Sequence, residues 1–136
     1  MIYNLTQHVL TPEQINALEK MFPNEEIKHI PQGQIFSSIE QRETWAETWA
    51  NTLSPECNYW DSHDIANIAI VGGDTASFMI LQRLITKHQA FADGEISEGR
   101  STTVSRASVM FLVADTERIR DENDRFIFNF KRWLIF

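Results

Sequence analysis

The 136-residue sequence contains one cysteine, Cys57, five glycines and four prolines. A lone thiol excludes an internal disulfide and any cysteine-rich metal site. No apolar run approaches the roughly 18 residues that a membrane-spanning helix needs. The opening MIYNLTQHVLTPEQ has neither a basic start nor a long apolar core, so no secretory signal is expected. Together these absences predict a cytoplasmic protein. Positive charge is scarce too: 12 Lys+Arg stand against 19 Asp+Glu, for a net charge of −7. Gripping long nucleic acid requires a basic face that releases counterions, and this composition argues against one. A small anion needs only a few oriented N–H groups and an arginine or two, so such a ligand is compatible with the composition.

What is present is apolar and aromatic. Hydrophobic residues make up 43% of the chain, with nine phenylalanines and four tryptophans. That suffices for the core of one domain spanning 1–136. Residues 1–7 are β-rich and read as a buried first strand. Thr11-Pro12-Glu13-Gln14 carries a helix start, with Thr11 as cap, Pro12 at the first helical position and Gln14 as reciprocal partner. Ile15, Leu18, Met21 and Phe22 follow on one face, and Pro23-Asn24 ends that helix. Residues 25–30 suggest a short strand. Ile39 to Leu53 reads as a second helix, with Trp45 and Trp49 four apart as core or dimer-contact residues. After a polar loop over 54–64, residues 65–71 are the most apolar run and the best central strand. Gly72-Gly73 turns the chain into a third helix carrying Phe78, Leu81 and Ile85 on one face. Asp93-Gly94 and Glu98-Gly99 signal turns. Residues 101–114 suggest one long strand or two short ones. The charged stretch 115–125 reads as a turn, and Phe126 to Phe136 as a strand closing a hairpin. The order βαβαβα followed by strands predicts an α/β sandwich, Rossmann-like, with a mainly parallel sheet and antiparallel C-terminal strands.

Ligands of such sheets gather beyond the carboxyl ends of the strands. Three segments would lie there: Gln7-His8; Gly72-Gly73-Asp74-Thr75-Ala76-Ser77; and Ser101-Thr102-Thr103 with Arg106. The glycines permit close approach to the main chain, and Thr75 and Ser77 bring hydroxyls to a helix N-terminus, where phosphate is favoured. The same residues also describe a plain glycine turn capped by Asp74 or Thr75. His8 suits general acid–base work near neutral pH, or is simple surface polarity. His29, His63 and His88 lack ligand spacing, so neither a metal nor a cofactor is expected.

The opening N-L-T-Q-H-x-L-T-P-E-Q, the central V-G-G-D-T-A-S, the later S-T-T-V-S-R and the closing FIFNFKRWLIF resemble the small stand-alone CRISPR-associated ring nucleases of the CARF-like group. The resemblance implies a CARF-like homodimer that binds cyclic oligoadenylate, the messenger of type III CRISPR defence, on its two-fold axis. It implies metal-free cleavage, the ribose 2′-hydroxyl attacking the adjacent phosphate to leave a 2′,3′-cyclic phosphate. Such an activity serves either an antiviral defence locus or a virus that counters it as an anti-CRISPR. In this sequence the resemblance implies His8, Ser77 and Arg106 as catalytic residues. It places Gln7, Gly72, Gly73, Asp74, Thr75, Ser101, Thr102 and Thr103 around the ligand. A binder that does not cleave and a prophage protein-interaction module are the alternatives.

Overall fold

Why the chain folds as it does is clearest at its first helix. In the computed structural model, which describes residues 1–30, 36–58, 65–97, 104–106 and 108–136, strand β1 (Ile2–Asn4) leads through a short loop into helix α1 (Pro12–Met21). Thr11 Oγ1 accepts the Gln14 N–H at 3.2 Å, and the Gln14 side chain accepts the Thr11 N–H at 2.9 Å. Two of the donors a helix start leaves orphaned are thereby satisfied, and proline in the first turn wastes none. Past Pro23, Asn24 takes φ +69°, a left-handed turn that asparagine tolerates, and the chain enters β2 (Ile27–His29).

Helix α2 (Ile39–Leu53), capped by Ser38, is followed by β3 (Glu56–Asn58), β4 (Ile65–Ile70) and helix α3 (Thr75–Ser97). Strands β5 (Val104–Arg106), β6 (Ser108–Arg120) and β7 (Phe126–Ile135) complete the described chain. The main sheet has the order β2-β1-β4-β6-β7. Its first four strands are parallel, and β7 pairs antiparallel with β6. β3 and β5 form a separate antiparallel pair. The architecture is the α/β sandwich with a mainly parallel sheet and antiparallel C-terminal strands that the element order predicts.

Strand alternation divides the core in two. Ile2, Ile68, Ile70, Leu112 and Trp133 face α1 and bury Leu18. Ala69, Val71 and Phe111 face the other way, onto Leu81 and Ile85 of α3 and Ala46, Ala50 and Leu53 of α2. Alanines four residues apart let α2 approach closely, and Trp45 and Trp49 fill in beside them, half-buried. Trp49 packs on Tyr3 with ring centroids 5.8 Å apart, and Trp45 on Phe36 at 5.7 Å.

Three local readings are corrected. The Asp93-Gly94 turn does not form: α3 runs through it to Ser97, a 23-residue helix. An established helix propagates at low cost, so one glycine, worth about 1 kcal/mol, does not stop it. Residues 115–120 are not turn but the outer half of β6, and only 121–125 turn the chain. Charge there marks solvent on both faces of a strand rather than its end. β1 is also shorter than residues 1–7, ending at Asn4.

β6 and β7 consequently outrun the sheet. β4 ends opposite Leu112, whose carbonyl accepts the Val71 N–H at 3.0 Å. From there β6 continues eight residues to Arg120, paired with β7 down to Arg120↔Phe126. The register slips between Asp115 and Thr116, where Asp115 opposes Arg132 and Thr116 opposes Phe130, leaving Lys131 as the extra residue of a bulge. Beyond the bulge the two strands form an arm exposed on both faces, with Ile119, Phe126, Ile127 and Phe128 at 42–66% exposure.

Candidate functional site

A cleft of about 480 Å³ opens at the carboxyl ends of β1 and β4, beside the middle of β6, on the side of the sheet that carries α1. Its walls are the β1–α1 loop (Thr6, His8, Val9, Leu10), the start of α1 (Thr11, Gln14), the Gly72-Gly73 turn, and the strand pair, which contributes Thr116, Phe128 and Trp133. This is where a parallel sheet leaves its backbone ends free for ligands. Among the described residues no acidic side chain lines it, although the chain carries −7 overall.

Each wall has its own fixing device. The β1–α1 loop is held by Asn4, fully buried at the end of β1. Its Nδ2 donates to the His8 carbonyl at 2.9 Å and to His29 Nδ1 at 2.6 Å. Its Oδ1 accepts the Thr6 N–H at 3.1 Å and the Thr6 hydroxyl at 2.6 Å. All of the amide's ordinary hydrogen-bonding capacity is used, which offsets the cost of burying it. An amide nitrogen can only donate, so His29 Nδ1 accepts and the His29 ring carries its proton on Nε2. The His8 ring is left exposed at the cleft, with its backbone pinned on both sides. Sequence reading passed over Asn4. The signal was there, as the one polar residue inside the apolar run of a buried strand.

The Gly72-Gly73 turn follows β4. Gly73 has φ +84°, a conformation that side chains disfavour, whereas a Cβ on Gly72 would meet only the Thr6 methyl at 3.8 Å. Asp74 then caps α3. Its Oδ1 accepts the Ser77 N–H at 3.2 Å, and its carbonyl accepts the Phe78 N–H at 3.2 Å. Its other oxygen, Oδ2, is 3.0 Å from Arg42 Nε of α2. Desolvation works to raise the Asp74 carboxyl, but the Ser77 N–H and the Arg42 guanidinium together prevail and hold it below the ordinary value. The helix N-terminus thus already carries an anion of its own. Arg42 of α2 is therefore a positioning group for this turn. At the third wall, Trp133 Nε1 donates to the Gln14 carbonyl at 3.2 Å and ties β7 to α1.

Of the residues expected around a ligand, the structure brings His8, Gly72 and Gly73 to the cleft. Gln7 is exposed in the same loop but is not part of the lining, and Thr75 is exposed on the first turn of α3. Asp74 faces Arg42. Ser77 is 1% exposed, with no hydrogen-bond partner for its hydroxyl among the described residues, and it does not line the cleft. Arg106 lies in β5, where its backbone opposes Glu56. Two residues later the chain enters β6 at Ser108, opposite Ile65 at the amino end of β4. Its backbone is therefore at the end of the sheet remote from the cleft. Ser101, Thr102, Thr103 and His63 lie outside the described residues, and only the backbone is described for Arg106, His88 and Cys57. Among the described residues no group of three His, Cys, Asp or Glu is placed to hold a metal, and no helix is long and apolar enough to cross a membrane.

Residues 1–92 match the profile of the uncharacterized protein MJ1673 family. The chain belongs to that family. The match to the MJ1673 family runs from β1 through most of α3 and so contains Asn4, the His8 loop and the glycine turn. It stops short of β6 and β7, so the third wall of the cleft is outside the MJ1673 match. No curated protein and no solved structure matches the chain.

Proposed function

We propose that the protein binds a cyclic oligoadenylate in the cleft at the carboxyl ends of β1 and β4, as a homodimer, and cleaves it without a metal. The observation that carries this reading is the cleft itself. A ligand-sized opening at the end of a parallel sheet is walled by an exposed histidine, a glycine turn and aromatic rings, with no carboxylate among the described residues that line it. Backbone N–H groups of the glycine turn are the donors for phosphate. In the cleavage step His8 takes the proton of a ribose 2′-hydroxyl. The 2′-oxygen bonds to the adjacent phosphorus, the P–O5′ bond breaks, and the proton passes to the leaving 5′-oxygen. The products are a 2′,3′-cyclic phosphate and a 5′-hydroxyl.

A second reading is favoured by the start of α3. Asp74 occupies the positive end of the helix, and Ser77 is buried away from the cleft, so among the described residues His8 is the only titratable side chain lining the cleft. A site with so few catalytic groups suits a protein that sequesters the messenger without cleaving it. Incubating the protein with labelled cyclic oligoadenylates and resolving both complexes and products separates the two. Linear products ending in 2′,3′-cyclic phosphate, lost in His8→Ala, support the nuclease. A complex without products supports the binder. Neither complex nor products overturns both.

A further inference from the structure

The outer arm of β6 and β7 carries an arrangement that the cleft alone does not use. On the face it shares with α1, Phe126 and Phe128 alternate with Arg118 and Arg120 across the ladder. The Arg118 guanidinium lies 5.1 Å from the Phe126 ring centroid and 5.4 Å from that of Phe128, and the Arg120 guanidinium lies 5.1 Å from Phe126. Phe126 is 52% exposed and Phe128 66%. Arg118 makes no ion pair with any described carboxylate, unlike Arg120, which meets Asp124 at 3.0 Å, and Arg132, which meets Asp115 at 3.1 Å. A guanidinium held by aromatic rings rather than by a carboxylate keeps its N–H donors for another acceptor.

Phe128 also lines the cleft, so the row of rings and cations begins at the cleft and runs outward along the arm. The cleft, at about 480 Å³, has the size of a site for one compact ligand group. A ring of several nucleotides would extend beyond it, and the arm is the surface next to it. Exposed rings stack on the flat face of a base of any identity, and a guanidinium free of carboxylates donates bidentately to phosphodiester oxygens.

We infer that the Arg118–Phe126–Phe128 face of the arm is a second binding surface, which takes a nucleotide of an oligonucleotide whose neighbouring nucleotide occupies the cleft. The inference rests on the nucleotide reading of the cleft and adds that the ligand is longer than one nucleotide. The two surfaces divide the work: the cleft engages any adenine nucleotide, and the arm engages only a ligand long enough to reach it.

The test compares two probes, cyclic tetra-adenylate and 5′-AMP, by titration calorimetry on the full chain and on the double variant Arg118→Gln/Phe126→Leu. Both positions are solvent-exposed, and thermal midpoints and sedimentation masses check that fold and assembly are kept. The expected result is a loss of about tenfold or more in affinity for the cyclic tetra-adenylate, with AMP binding changed by less than about twofold. Equal binding of both probes by parent and variant overturns the arm surface while leaving the cleft reading intact. A variant that sediments as a lighter species and weakens both probes alike also overturns it, because the arm is then a contact between copies of the chain. A parent that binds neither probe overturns the nucleotide reading itself, and the arm surface with it.

Discussion

β6 and β7 are one continuous hairpin with two different lives. Below the bulge at Lys131, Leu112 is fully buried and Trp133 is 6% exposed, packed on α1 from one strand each. Above it, the same strands carry side chains of the same type, yet Ile119 and Phe128 are 42% and 66% exposed. Hydrogen bonding continues across both halves. What ends is the cover: β4 stops at Ile70 and α1 reaches no farther. The ladder alone therefore does not make a core. An isolated pair of strands is marginal in water, and the outer half stands because the inner half anchors it. Apolar residues left uncovered this way are most economically explained by something other than stability.

Substitutions in the two halves should separate most at Leu112. Leu112→Ala should cost about 2–5 kcal/mol in urea unfolding, as removal of a fully buried leucine does. Ile119→Ala on the arm should move the same midpoint by less than about 0.5 kcal/mol. Equal costs would mean the arm is covered in solution and would erase the contrast.

The cleft rim, between core and arm, is stitched by polar contacts, and its variants should fall between those limits. Asn4→Leu removes four hydrogen bonds and strands the Thr6, His8 and His29 groups that made them. The cost should be about 2–3 kcal/mol, with faster amide exchange at Thr6 and His8 as its local signature. Gly73→Ala should cost about 1–2 kcal/mol because of its positive φ. Gly72→Ala should be nearly neutral, so the pair reports conformation against mere space.

Asp74→Ala should cost about 1 kcal/mol through loss of the α3 cap. This site also has a definite pH sign. The folded carboxyl titrates below its unfolded counterpart, so its stabilisation is fully present above the unfolded value. It is lost as pH falls through the folded one. Asp74→Asn should therefore flatten the acid limb of a stability-against-pH profile. An unchanged acid limb would show that the Arg42 contact is not maintained. The smallest effect belongs to the arm's aromatic face: Phe126→Leu should leave the thermal midpoint within about 2 °C of the parent.

How far the sequence foretold this depended on whether the signal was local. Thr11 to Gln14 specify their own cap, and residues 65–71 are central by apolarity alone, so both were legible. The turn at Asp93-Gly94 was misread because the dipeptide signals locally, while a helix already under way overrides it. The outer half of β6 was misread because charge was taken for a break. Thr116, Arg118 and Arg120 alternate with Glu117 and Ile119 as a strand wetted on both faces requires. At the site, His8 and the glycines were legible as turn chemistry. Asn4 was passed over although it is a polar residue in an apolar strand, and Arg42 was not legible because its partner Asp74 lies 32 residues away along the chain. Arg106 was expected beside the glycine turn because strand order was unknown. Pairing of Ser108 with Ile65 places it at the opposite end.

The bulge at Lys131 works as a parity device. Along a regular strand, residues an odd number apart point to opposite sides, so Phe130 and Trp133 should never meet. With one supernumerary residue between them, their ring centroids are 5.3 Å apart. Every residue farther out inherits that correction, Phe128 and Phe126 included. Excising Lys131 would leave Phe130 and Trp133 two residues apart, on one side with no bulge needed, whereas drawing Lys131 into the ladder would transpose the whole aromatic row to the side where α2 and α3 pack, facing away from His8. Which side of the molecule receives the rings is thus decided by whether one residue stands in the ladder or out of it: a bulged Lys131 turns the row to the cleft, and a paired one would turn it away.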